Sequence, residues 1–585
     1  MLDPRIYRAG FLPILFALVL VGFSLKEPPR PLTTSLAPDA FDGAAAFRQL
    51  DGLATAAPLR RPGSSGDRLV AGRVEEALRA NGFRVRTRDI TAQTADGSRA
   101  LETVVGERAG FSNRRIVVLA HRDALGRGAR AELSGTAALL ELARVLGGRT
   151  LNRTLVLAST SGGTAGLASA EQLARQPGGP IDAVLVLGDL AGTTTDRPFV
   201  VPWSQSTALA PQQLRRTVES ALMTEASLRA GTVSPGVQLA RLAFPLTLGE
   251  QGPFDARGAG AVLLSTSGER APAADAPVSA ARLTAFGRAA LRSVGALDDG
   301  GDLPPSAAYV VLERKLLPAG PVRLLAIALM LPVLLAAVDG LARVRRRRER
   351  VGMWLRWVAV AAVPFLLAAL LARLLFLTGL VDAAPDAPVA GLASAPNVPA
   401  LASVAVVWLL ARVFLRPPLL RLLGVDERAD ASAGGAAAAV TLLLCAATLV
   451  VWVGNPYAAL LLIPALHLWL IAMVPETHLR RAAAVALWAL GLVAPLLVAY
   501  AYARQFGLDP LGLAWMGELL VAGGGISAFA VLVWSVVLGC AASALTVVLR
   551  AADGGPAAAA PITVRGPQTY AGPGSLGGTE SALRR

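Results

Sequence analysis

Cysteine, lysine and histidine are almost missing from this chain of 585 residues. The only cysteines, Cys445 and Cys540, sit inside apolar runs, so no disulfide framework holds the polar stretch between Lys26 and Pro318, even if that stretch lies outside the cell. Lys26 and Lys315 are the only lysines, and the remaining basic residues are arginine. With abundant alanine and glycine this points to a GC-rich bacterial genome, a matter of codons rather than of physics. Of the three histidines only His121 falls in the polar stretch; His467 and His478 lie among the apolar runs. Aromatics are 5% of the chain and do not interleave with basic clusters, which argues against a nucleic-acid partner.

Apolar sequence is what the chain has in excess: 54% of residues are hydrophobic and the mean hydropathy is +0.52. That composition implies several membrane spans. Apolar runs occur at 9–25, 322–342, 357–380, 398–415, 434–453, 457–474, 482–503 and 525–549, eight in all. The first has no small-residue cleavage site after it and reads as an uncleaved anchor. Of the net charge of +15, Lys26 to Lys315 carries 34 basic and 28 acidic residues (+6), leaving 22 and 13 (+9) for the rest. The arginine-rich loops 343–350, 416–433 and 475–481 alternate with the arginine-poor loops 381–397, 454–456 and 504–524. With a cytoplasmic N-terminus every loop obeys the positive-inside rule. The expectation is a multi-pass protein of the bacterial cytoplasmic membrane, both termini cytoplasmic and the polar domain extracytoplasmic.

Four parts follow: a short N-terminus and anchor (1–26), a polar domain (27–318), a seven-span bundle (319–550) and an Ala/Gly/Pro-rich tail expected to be disordered (551–585). Within the polar domain, after a Pro-rich linker that turns helical, 67–81 has helical spacing with Asp67 as candidate N-cap. Residues 83–90 alternate as a half-exposed strand. Continuous apolar runs at 116–120, 154–158, 183–188 and 261–265 predict buried parallel strands, and 134–146, 165–175, 211–229 and 280–294 predict helices. Strands alternating with helices imply an α/β fold: a parallel-rich sheet with helices on both faces.

The segments VLAHRDA, AELSGTAALLELAR, SGGTAGLASAEQL and VLVLGDLAG, in that order, resemble the core of M28-family zinc aminopeptidases across roughly residues 60–296. The resemblance implies a two-zinc site with a bridging carboxylate, a His and a carboxylate for each metal, and a Glu base for the metal-bound water. His121 matches the first His, with Asp123 completing His-x-Asp, and Asp189 matches the acid after the later strand. The bridging acid is replaced by Ala131, beside Glu132, and the Glu-Glu pair by Gly163 and Thr164; Ser134, Gly135, Ala165, Gly166 and Leu167 of the surrounding motifs are kept. The last His is missing from GERAPAADAPVSAARL, and GEQGPF, Gly249 to Phe254, departs from the family's Ser-Asp-His-x-Pro-Phe. His121 and Asp189 therefore remain as a vestigial pair, with Asp123 and Glu132 as contributors to any single-metal site. A hydrolase built on Ser134 or Ser161 with His121 is a further alternative, without a G-x-S-x-G elbow to support it.

One anchor, an M28-like domain and a multi-span bundle also resembles the M28-like subunit of the eukaryotic glycolipid-anchor transamidase, and the endoplasmic-reticulum M28 metallopeptidases. The lost ligands favour the first comparison. The expected function is an inactive binding or scaffold module in the cell envelope, without a cofactor, whose partners are membrane lipids and an envelope protein, peptide or glycolipid. The alternative is a membrane-bound M28-type metallo-aminopeptidase with a rearranged zinc site. In the bundle Arg373 is the deepest charged residue and a candidate for interface or headgroup contact. Residues 505–520 read as an interfacial segment, with Trp515 at headgroup level.

Overall fold

The structure is a computed structural model that describes residues 4–551 apart from 36, 95–96, 165, 349–350, 382–394 and 426–433. The expected disordered tail, from 552 on, and parts of the two loops 381–397 and 416–433 lie outside the described residues, as does Ala165.

Seven strands form the main sheet: β1 (Arg84–Thr94), β2 (Gly97–Arg108), β3 (Ser112–His121), β4 (Arg153–Thr160), β5 (Ile181–Leu187), β6 (Phe199–Val201) and β7 (Ala261–Ser265). Their order is β1-β2-β4-β3-β5-β7-β6. β4, β3, β5 and β7 are parallel, and β1, β2 and β6 add antiparallel margins. The four central strands are the apolar runs that the sequence marks as buried on both faces.

Alternation along these strands divides two cores. Ile116, Val118, Leu155, Leu157, Leu185 and Val262 pack under the helices Gly43–Ala56, Ser65–Ala80, Arg130–Gly147, Gln212–Ala226 and Ala280–Asp299. Val117, Leu119, Val156, Val184, Val186 and Leu263 face the other way. Helices Ala168–Arg175 and Pro235–Ala243 and the hairpin of β8 (Tyr309–Leu312) and β9 (Lys315–Pro318) cover that second face. Val322, Tyr457 and Ala458, from the first turns of two apolar helices, complete the same cluster. The polar domain thus shares a core with the bundle.

Among the described residues seven helices are long and apolar enough to cross a membrane: Arg5–Phe23, Ala319–Arg346, Val351–Leu377, Val398–Leu422, Gly434–Gly454, Pro456–Met473 and Ala528–Arg550. The pair Arg481–Leu490 and Val493–Phe506, bent by 42°, makes eight if counted as one span. Pro510–Ala522 is apolar but short. The first span packs on Ala319–Arg346, and Tyr7 Oη lies 2.6 Å from His467 Nδ1.

Several local expectations change. The helix after residue 60 is capped by Ser64, whose hydroxyl accepts from the Asp67 N–H. Ser and Asp three apart both suit a cap, and here the acid takes the third helical position, as in a capping box. The helix expected from 165 begins at Ala168. β2, β6 and helix Pro235–Ala243 were not marked by the sequence patterns.

Candidate functional site

Parallel strands deliver their C-terminal ends to one edge, and ligand crevices in open α/β sheets form there. β3 ends at His121, and Asp189 follows its neighbour β5. Both line one cavity of about 990 Å³, together with Glu132, Gly163, Thr164 and Glu250. Two residues bordering it are held at positive φ without being glycine, Ala129 (29°) and Leu167 (61°). Such conformations cost on the order of 1–3 kcal/mol each.

The acids expected as ligands are largely occupied by the protein itself. Asp189 Oδ1 accepts from the N–H groups of Gly192 (2.7 Å) and Ala191 (3.1 Å), with Ser134 Oγ at 3.5 Å, and Oδ2 accepts from Thr266 Oγ1 at 2.5 Å. Burial raises its pKa, and these hydrogen bonds work against the rise. Asp123 accepts from Gly163 N–H (3.0 Å), Thr164 N–H (3.1 Å) and Thr164 Oγ1 (2.5 Å). The loop that has lost the family's Glu-Glu pair is therefore fastened by the neighbouring acid.

His121 keeps a different partner. Its Nδ1 lies 3.6 Å from Glu250 Oε2, an ion-pair contact too long for a hydrogen bond. Glu250 Oε1 accepts from Thr160 Oγ1 at 2.6 Å. Burial lowers the His121 pKa, but Glu250, with Asp123 and Glu132 behind it, outweighs burial and pushes it up to about 9. Glu132, buried at the start of helix Arg130–Gly147, is pushed up to about 7, mainly by burial. His121 Nε2, Glu132 Oε2 and Glu250 Oε2 have no hydrogen-bond partner.

Glu250 is the site residue that sequence reasoning passed over. It occupies the acid position of GEQGPF, so an acid in that altered motif was the available signal. Arg60 and Arg122 were also missed. Arg60 is fully buried and donates to the carbonyls of Ala57, Arg122, Gly128 and Ala129. Arg122 pairs with Asp67 at 2.9 Å and donates to Ser159 O and Glu102 O. Both arginines brace the loop that carries His121 and Asp123.

A two-zinc centre does not fit these residues. The resemblance puts the bridging carboxylate at Ala131, Gly163 and Thr164 carry no carboxylate, and both oxygens of Asp189 already accept hydrogen bonds. At Gly163 an added Cβ would lie 2.5 Å from His121 Cβ, so there is no room there for a glutamate. Among the described residues no group of three or more His, Cys, Asp or Glu is placed to hold a metal ion. The two serines point elsewhere: Ser134 Oγ donates to Ala131 O, and Ser161 Oγ donates to Asp67 Oδ2 at 2.6 Å. Arg373 donates to Val521 O (3.2 Å) and Ile526 O (2.8 Å), holding the chain where helix Pro510–Ala522 ends.

The opposite wall of the cavity comes from the membrane part of the chain. Gly507 and Asp509, in the turn after Phe506, and Leu508, Trp515, Met516 and Leu519 line it. Gly507 has φ +67°, and a Cβ there would meet Arg270 Nη1 at 2.8 Å, so the turn lies directly on the segment after β7. Beside it the buried Arg241 pairs with Glu269 and donates to Gln505 Oε1 at 2.9 Å.

Residues 103–234 match peptidase family M28. No curated protein sequence matches the chain. Similar solved structures include BSAP, a zinc aminopeptidase from Bacillus subtilis (10% identity, 43% of this chain and 94% of that one, TM-score 0.35). Glutaminyl cyclase from Bacteroides thetaiotaomicron (14%, 45% and 99%, 0.35) and LapB from Legionella pneumophila (15%, 47% and 79%, 0.37) are also similar. The chain combines an M28 peptidase-like domain with, among the described residues, seven to eight apolar helices long enough to cross a membrane.

Proposed function

We propose that this chain is a polytopic protein of a bacterial cytoplasmic membrane whose extracytoplasmic M28-like domain binds a ligand in its cleft without hydrolysing it. One observation carries the reading. Asp123 and Asp189 are engaged by hydrogen bonds within the protein, and among the described residues no three His, Cys, Asp or Glu side chains are placed to hold a metal with His121. A tight zinc site takes about three or four well-placed protein ligands, and a lost general base costs about 10²–10⁴ in rate. The arginine-rich loops support the placement of the domain.

Full-length protein in detergent, analysed for bound metal and assayed for aminopeptidase turnover with added zinc, is expected to show neither stoichiometric zinc nor turnover. Stoichiometric zinc with turnover abolished by His121→Ala would replace this reading with a membrane-bound aminopeptidase that has a rearranged site. Reporter fusions at 385 and 425 test the topology; an external 425 refutes it.

A further inference from the structure

The cavity has two chemically different ends. At the domain end the wall carries Glu132, Glu250, Asp189 and His121, with Asp123 and Arg60 behind them and Arg270 on the same wall. Asp123 and Asp189 are satisfied internally. Glu132 and Glu250 are 4% and 3% exposed, yet each has one carboxylate oxygen without a hydrogen-bond partner, that of Glu250 lying 3.6 Å from His121 Nδ1. Buried acceptors left unpaired are expensive, and ones that line a cavity mark where a ligand's donors belong. His121 Nε2 is unpaired at the same place. At the other end the wall is Leu508, Trp515, Met516 and Leu519. Leu508 is in the three-residue turn after the bent membrane pair, and the other three belong to the short apolar helix that follows it.

We propose that this cavity holds a membrane lipid with a primary-ammonium headgroup, its ammonium on Glu132 and Glu250 and its hydrocarbon chain along Leu508, Trp515, Met516 and Leu519. The inference rests on the non-hydrolytic reading above and names the ligand class. A primary ammonium brings three N–H donors, enough for both orphaned carboxylate oxygens. A trimethylammonium brings none, and an anionic head would add a negative charge beside the Glu132 and Glu250 carboxyl groups. His121 Nε2 then faces an oxygen next to the amine. The apolar wall explains why a lipid is favoured over a free amine, since a soluble ligand leaves that surface uncovered.

The test uses the full chain in nanodiscs of phosphatidylcholine doped with equal parts phosphatidylethanolamine and phosphatidylglycerol. Lipid retained after detergent extraction is read by mass spectrometry. Phosphatidylethanolamine is expected to be enriched about tenfold or more over both others, as charge-assisted hydrogen bonds imply. The enrichment should vanish in Glu132→Gln/Glu250→Gln. Leu519→Trp, which fills the apolar end and leaves both acids in place, should lose the lipid while its thermal transition stays put. Equal retention of all three headgroups overturns the proposal, and so does enrichment that survives both variants. Free phosphoethanolamine displacing the lipid at equal concentration overturns the lipid source. Zinc-dependent turnover in the separate assay overturns the non-hydrolytic reading and leaves the headgroup result standing or falling alone.

Discussion

Removing the guanidinium of Arg241 should break the joint between the domain and the bundle. Arg241 is on helix Pro235–Ala243, its side chain 1% exposed and that of its partner Glu269 3% exposed. It also donates to Leu246 O and Gln505 Oε1 and sits 5.2–5.5 Å from the ring centres of Trp203, Tyr502 and Phe506. Breaking a buried pair from one side costs about 3–5 kcal/mol, because the remaining charge is stranded. In Arg241→Met, Glu269 keeps the Thr247 hydroxyl and the Gln505 amide, so the lower end, about 3 kcal/mol, applies. Glu269→Leu strands Arg241 with only neutral acceptors and should cost as much. The double variant strands no charge and should cost less than about 2 kcal/mol. The three proteins are compared with the parent by denaturant unfolding of the full chain in detergent. If the single costs add to within about 0.5 kcal/mol, the pair does not act as a joint and the reasoning fails.

Three further outcomes follow from the cleft. His121 is held near 9 against 6.5 when free, so the native state keeps its proton between those values; the resulting stabilisation is complete below pH 6.5 and lost as pH rises to about 9. At about 1.4 kcal/mol per unit this is on the order of 3 kcal/mol, read as a falling thermal transition that flattens in His121→Asn. Glu132, raised from 4.5 to about 7, should add a decline of the same sign between those two values, removed in Glu132→Gln. Gly163→Ala places a Cβ 2.5 Å from His121 Cβ and should destabilise the full chain by about 1–3 kcal/mol in the same assay; an unchanged transition would mean that the loop yields freely.

The central sheet was legible because its strands are continuous apolar runs, and parallel strands buried on both faces need nothing else. β2 was not, because its first four residues, Gly97 to Ala100, carry no large apolar side chain and pair with the exposed β1, and burial begins only at Leu101. His121 and Asp189 were found through the resemblance to M28 peptidases, and the structure puts both at one cavity. Their partners were out of reach, since Thr266 lies 77 residues from Asp189, and Glu250, in ion-pair contact with His121, is also far along the chain. The wall from Leu508 to Leu519 is more remote still: interfacial composition marked the segment, but nothing local says which surface it closes.

The shared core has a consequence for the order in which the molecule can be completed. A ribosome finishes residues 27–318 well before Tyr457, Phe506 and Met516 exist, yet those residues cover apolar surface of the sheet and of helix Pro235–Ala243. Until the later helices are inserted, the part of the second face that Tyr457 and Ala458 complete stays uncovered, and exposed apolar surface of that kind is where folding intermediates aggregate. The domain is therefore made early and closed late, its last side chains arriving from the membrane, and a fragment cut at residue 318 would be a sheet with one side unfinished.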